Sequence, residues 1–284
     1  MKKIFIHTNN KQLLGAVLAK YAIEKYLPKN SKIIVEYINV DKIEAFKNFA
    51  GKEYLFAGKS RIYDPRDLQS FTLSRFMAPE LMNYKGMAVI IDPDIFAVKD
   101  ISKIFDINMS GKSIAVCRKK SHWDTSFMLM DCAKLTHWRI DDILKGLGNK
   151  KLDYVADIMS LKHEPEDSIT ELPRIWNNLD ILTDDTLAIH MTNRLTQPWK
   201  TGLPIDFTRN PMPKIFGLIP REPIHKLLGK YPSSYQKHPN QKIENLFFNI
   251  AKEALKGGII TENLIRKEID AGYIRKDFLE NIPV

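Results

Sequence analysis

The first forty residues constrain the fold most. Residues 3–8 are a β-rich run, residues 11–27 place Leu14, Val17, Leu18, Tyr21 and Ala22 near helical spacing, and residues 33–40 are β-branched again. Pro28 and Asn30 close the helix between the two runs. A strand, a helix and a strand in that order favour an α/β chain with a parallel sheet. The pattern continues with a predicted helix over 67–82 and strands over 87–91, 113–117, 127–130 and 187–190. After Thr201 it changes to an irregular segment and then to predicted helices over 241–255, 261–269 and 275–280. Two domains are expected: an α/β body over 1–204 and an appendage over 205–284.

Size and composition fit that architecture. With 284 residues, 44% of them hydrophobic, folding removes roughly three quarters of the chain's surface from water, so disorder and a disulfide-stapled miniprotein are excluded. Two cysteines, Cys117 and Cys132, suit a reducing compartment, and neither has metal-ligand spacing. No run approaches the ~20 apolar residues that span a bilayer. Only Ile4, Phe5 and Ile6 follow the basic start, too few for a secretory leader, so a cytoplasmic location is expected. The net charge of +9 is concentrated: residues 205–243 hold seven basic and two acidic side chains together with six prolines. That stretch reads as a basic loop region that could meet anionic lipid at the inner membrane face, with Lys226, Lys230, Lys237, Lys242, Tyr231 and Tyr235, or close over a bound anion; an ordinary solvated surface is equally consistent.

The strand over 87–91 runs directly into Asp92-Pro93-Asp94. In open α/β sheets ligands bind beyond the carboxyl ends of strands. Residues two apart on an extended segment point to one side, so both carboxylates can address one cation, and Pro93 suits a strand end because it donates no ladder bond. Such a pair is the natural ligand set for Mg²⁺ or Mn²⁺, ions that neutralise diphosphates. Taken alone, Asp-x-Asp is a common turn composition; its context decides.

That context is an ordered series of blocks. Ser74-Arg75-Phe76, Pro79-Glu80-Leu81, Tyr84-Lys85-Gly86, Ala88 through Ile95 and Asp100-Ile101 are followed by Asp124 through Asp131, by Asp157, by Leu172-Pro173-Arg174-Ile175-Trp176-Asn177, and by Ile189-His190 with Gln197-Pro198-Trp199-Lys200. In this order, over about residues 3–201, the chain resembles family 8 glycosyltransferases, which are retaining, metal-dependent enzymes of the GT-A fold that typically use UDP-sugars. The resemblance implies a Rossmann-like mixed sheet flanked by helices over 1–204, with the helical extension packing on or beside it. It implies Asp92, Asp94 and His190 as metal ligands, the imidazole tilting the ion toward Mn²⁺ over Mg²⁺. Arg75 would reach the donor, Thr8, Asn9 and Asn10 match the nucleotide-binding turn, and Asp124 and Asp157 would line the sugar pocket as the candidate nucleophiles.

The chain departs from the family pattern in places. Asn9-Asn10 stands where acidic residues are usual, Asp124 replaces an amide, Ser126 replaces a glycine, and Gln197 replaces a phosphate-binding lysine, for which Arg194 or Lys200 would substitute. The implied activity is transfer of a hexose from a UDP-sugar to a glycan or lipid-linked acceptor with retention, cations stabilising the departing diphosphate. A sugar-nucleotide pyrophosphorylase is the rival enzyme, but His7-Thr8-Asn9-Asn10-Lys11 lacks the glycine-rich phosphate loop expected there. A non-catalytic nucleotide-sugar-binding or glycan-binding protein of the same fold is the other reading. Nucleic acid is not an expected partner, because no motif accompanies the charge.

Overall fold

A computed structural model describes residues 1–120, 122–208 and 232–283. Most of the basic proline-rich stretch, including Lys226, Lys230 and Tyr231, lies outside the described residues. The chain divides into two compact units, Met1–Arg66 with Ser70–His190, and Asp67–Gln69 with Met191–Val284.

The first unit is built on a mixed sheet. β1 (Lys2–Thr8), helix α1 (Leu13–Tyr26) and β2 (Ile34–Asn39) form the expected crossover unit, β1 pairing parallel to β2. Helix α2 (Glu44–Phe49) leads to a hairpin of β3 (Glu53–Phe56) and β4 (Lys59–Ile62), unforeseen from the sequence pattern. Its turn residues Ala57 and Gly58 both have positive φ, and their amides are held by the Asp153 carboxylate at 3.0 and 2.6 Å.

The helix expected over 67–82 is instead a 3₁₀ stretch, Ser70–Met77, followed by a single α turn, α3 (Ala78–Leu81). Pro79 explains the difference: it cannot donate to the Arg75 carbonyl and its ring would clash there, so no continuous α-helix runs through this point.

β5 (Met87–Ile91) lies between β1, parallel, and β8 (Trp123–Asp131), antiparallel. β6 (Ile95–Ala97) follows at once, and β7 (Ile114–Arg118) pairs with β8 and with β9 (Ile169–Leu172). The resulting order is β2-β1-β5-β8-β7-β9. A second sheet, β10-β11-β6, uses β10 (Asn178–Leu179) and β11 (Ala188–His190). β5 is apolar and buried at nearly every position, as a central strand covered on both faces must be, and α4 (Ile140–Gly148) presents Ile140, Ile143, Leu144 and Leu147 to the core. Gly86, just before β5, has φ +75°, and a Cβ there would strike the Met1 carbonyl, which accepts from Met87 N.

The second unit contains α5 (Gln241–Lys256) and α6 (Glu262–Asp270). Trp199 stacks on Phe247 at 4.8 Å, and Phe247, Phe248 and Phe278 pack together. The helix expected over 275–280 is absent; only a 3₁₀ turn, Leu279–Asn281, forms. Arg275 bonds Asp277 through Nε and Nη2 at 2.6 and 2.7 Å, a pairing two residues apart that helical geometry does not allow. Among the described residues no helix is long and apolar enough to cross a membrane.

Candidate active site

The site forms where the two sheets of the first unit meet. Asp92 follows the last residue of β5, its amide donating to the Ser126 carbonyl at 3.0 Å, and the Ile95 amide closes a turn onto the Asp92 carbonyl at 3.2 Å. That turn projects Asp92 and Asp94 and starts β6. β11 pairs antiparallel with β6 in the register His190↔Ile95, which sets His190 beside Asp94 although 96 positions separate them in the chain. His190 Nε2 is 3.3 Å from Asp94 Oδ1. One ligand atom from each of Asp92, Asp94 and His190 lies within 4.8 Å of the others. That spread is close to the span of two metal–ligand bonds of about 2.2 Å each, and two carboxylates with an imidazole suit Mn²⁺, so the donor set fits a divalent cation.

Two further groups lock Asp92. His7, at the carboxyl end of β1, is fully buried; its Nε2 is 2.5 Å from Asp92 Oδ1 and its Nδ1 is 3.1 Å from the Phe71 carbonyl. Arg75, in the 3₁₀ stretch and only 3% exposed, donates from Nη2 to the same Oδ1 at 2.8 Å and from Nη1 to Thr125 Oγ1 at 2.8 Å. Arg75 Nε has no hydrogen-bond partner among the described residues. Burial alone would raise the Asp92 pKa, but Arg75 and then His7 hold it far below the usual carboxylate range. Burial pushes His7 below its ordinary value. It also pulls His190 down, but Asp94, with Asp92 and Asp124, more than reverses this and leaves His190 raised. A field that favours a proton on His190 is one that draws a cation.

Behind His190 stands a second polar layer. The β7/β8 register shifts between Val116 and Cys117, so that Val116 pairs with Met128 while Cys117 pairs with Asp124. This bulge frees Thr125 to meet Arg75 and Ser126 to face inward, the usual service of a bulge next to a site. Asp124, 3% exposed, accepts from Ser126 Oγ at 2.7 Å, Arg174 Nη1 at 2.7 Å and Asn177 Nδ2 at 3.3 Å, with Lys119 Nζ 3.2 Å away. Asn177 Nδ2 also donates to Ser126 Oγ at 2.9 Å, and Asn177 Oδ1 is 3.1 Å from His190 Nδ1.

The remaining sequence candidates have other partners. At the end of β1, Asn9 accepts from Gln12 N at 3.1 Å and donates to Ser70 Oγ at 2.9 Å. Asn10 donates from its amide to Asp41 at 2.7 Å and accepts from Asn39 at 3.0 Å, and Thr8 is fully buried. Asp157 sits in a π-helical turn, Tyr154–Met159, beside Lys162 and His163 at 3.3 and 3.7 Å, and accepts from the Asp153 amide. Together with Trp138, Phe76 and Leu161 it lines a cavity of about 220 Å³. Arg194 and Lys200 belong to the second unit. Arg194 bonds Gln69 and lies over the Phe207 ring at 4.9 Å, while Lys200, fully buried, donates to the Tyr273 carbonyl at 3.1 Å, 3.7 Å from Asp206. Sequence reasoning passed over His7, Thr125 and Asn177 as working parts of the site. His7 carried a usable signal, being polar at the carboxyl end of a buried strand beside the one that delivers Asp92.

Comparisons with known proteins bear on the fold. Residues 2–137 match the model of glycosyl transferase family 8. Among curated proteins a sequence search finds no significant match. A crystal structure of an active-site mutant of LgtC superposes with a TM-score of 0.50 at 11% identity, covering 70% of this chain and 89% of that one. The glycosyltransferase GlyE of Streptococcus pneumoniae TIGR4 gives 0.50 at 13% identity, covering 84% and 67%. Against the bifunctional glycosyltransferase WbbM the match covers 70% of this chain and 47% of that one, with a TM-score of 0.49 at 10% identity. The fold is that of the GT-A glycosyltransferases. Over residues 2–137, just under half of the chain, the sequence is similar to glycosyl transferase family 8.

Proposed function

We propose that this chain transfers a hexose from a UDP-sugar to a glycan or lipid-linked acceptor with retention of configuration, using a divalent cation, Mn²⁺ or Mg²⁺, held by Asp92, Asp94 and His190. The observation that carries the reading is the convergence of those three side chains at the carboxyl end of the sheet, with Arg75 buried against them. The bound cation would supply Lewis-acid stabilisation of the leaving diphosphate. Asp92 and Asp94 contribute the negative charge that selects a cation. Arg75 holds Asp92 with Nη2 while its Nε, buried and without a partner among the described residues, is a donor still to be used by a bound anion. Because these groups are fixed before the donor arrives, they need no reorganisation as negative charge develops on the diphosphate.

The test is UDP release from a panel of UDP-sugars with and without Mn²⁺. Wild type should release UDP only with the ion, and Asp94→Asn should lose activity by about two orders of magnitude, the scale of losing one positioned electrostatic group. A purified chain that neither binds nor turns over any UDP-sugar with Mn²⁺, Asp94→Asn behaving identically, would remove this reading.

A further inference from the structure

The proton directions around His190 follow from a single buried charge. Asp124 is acceptor-only, so Ser126 Oγ must give its hydrogen to Asp124 Oδ1, and the Asn177 atom beside Asp124 Oδ2 must be the NH₂ group. That NH₂ also donates to Ser126 Oγ. Asn177 therefore turns its carbonyl oxygen toward His190, 3.1 Å from Nδ1, and Ser126 Oγ, its own hydrogen spent, adds a second acceptor at 3.3 Å from the same atom. Nδ1 faces two acceptors and must carry the proton. In the neutral ring Nε2 then keeps its lone pair, directed to the side where Asp94 lies.

We propose that Asp124 is a positioning residue rather than a nucleophile: through Ser126 and Asn177 it fixes the tautomer and orientation of His190, so that Nε2 is presented to a cation shared with Asp92 and Asp94. This rests on the reading of those three residues as a cation site. The environment of Asp124 agrees with an anchor. Both of its oxygens are engaged, by Ser126 and Lys119 on one and by Arg174 and Asn177 on the other, and the side chain is almost wholly shielded from solvent. A carboxylate tied down on both oxygens by two cations, a hydroxyl and an amide is poorly suited to leave its place and form a bond to a sugar carbon.

The experiment uses the full chain. Mn²⁺ binding is titrated by electron paramagnetic resonance of the free ion for wild type, Asp124→Asn and Asn177→Leu, and turnover is measured at saturating Mn²⁺. Both variants should bind Mn²⁺ 10- to 100-fold more weakly, the range typical of lost partners behind a metal ligand, yet keep turnover within about tenfold once saturated. Unchanged Mn²⁺ affinity in both variants would overturn the proposal. So would an Asp124→Ala enzyme that, given azide, forms a glycosyl azide of inverted configuration, since that product shows the added anion attacking the sugar carbon in place of a lost nucleophile. If Asp124→Asn does not fold, Asn177→Leu decides together with the ¹⁵N shifts of His190 in the metal-free chain at alkaline pH: the Nδ1–H tautomer should dominate in wild type and be lost in the variant. Wild type that binds no Mn²⁺ would sink the cation reading itself, and the tautomer measurement would still test the relay.

Discussion

Both donors to Asp92 fall on one oxygen. His7 Nε2 and Arg75 Nη2 converge on Oδ1, so the carboxylate is held as if between two fingers and Oδ2 takes part in neither bond. Removing His7 should let the carboxylate swing without removing its charge. His7→Leu is therefore expected to weaken Mn²⁺ binding about tenfold, with His7→Gln, which keeps a donor, recovering part of the loss. Equal affinity in wild type and His7→Leu, measured by the same titration, would show that Arg75 alone sets the carboxylate. Asp92 and Asp94 were legible in the sequence because an apolar strand ends in Asp-Pro-Asp within an ordered series of blocks, the context that lifts the pair above a common turn. His190 was legible only through the order of the blocks around it. His7 offered a signal by closing the strand beside the one that delivers Asp92, whereas Asn177 offered none, since its role exists only once β11 has placed His190 beside it.

At the scale of elements, the crossover opening and the central strand could be read from periodicity, because burial on both faces leaves no polar position to confuse it. Elements whose polar residues are buried could not. β8 begins four residues earlier than the apolar run suggests, since Asp124, Thr125 and Ser126 are polar yet buried against the site. α6 supplies a case where burial of a charge has a measurable consequence. Glu268 is buried, its Oε2 has no hydrogen-bond partner among the described residues, and burial pushes its pKa from 4.5 up to about 7, with Lys200 opposing the shift. Between those values the native state binds the proton and the unfolded chain does not. Stability contributed by protonated Glu268 is therefore present below about pH 4.5 and lost as pH rises to about 7. Denaturation midpoints followed across this window should fall with pH by less in Glu268→Gln than in wild type, and the variant should be the more stable of the two at pH 8. Parallel pH profiles for the two proteins would show that Glu268 is solvated.

For the whole molecule, the excess of positive charge has no single address in the site. The site itself is acidic, with Asp92, Asp94 and Asp124 around His190, and its cations, the buried Arg75 and the half-buried Arg174, are each matched to one of those carboxylates. Such a cluster is under strain of like charge until a cation enters, so binding should appear as stability of the folded chain. A ligand that binds only the native state stabilises it by about 2.7 kcal/mol at a hundred times its dissociation constant. For a unit of this size that corresponds to a rise in melting temperature of roughly 5–10 °C. Mn²⁺ alone should give part of this rise, and UDP should add to it only when Mn²⁺ is present, because the diphosphate is expected to bind through the ion as well as Arg75. In Asp94→Asn the Mn²⁺-dependent part should vanish while the metal-free melting temperature stays level or increases, one carboxylate of the like-charged group having been neutralised. A UDP-induced shift of the same size with and without Mn²⁺, undiminished in Asp94→Asn, would mean that the nucleotide is held without the cation and that the three side chains serve the fold instead.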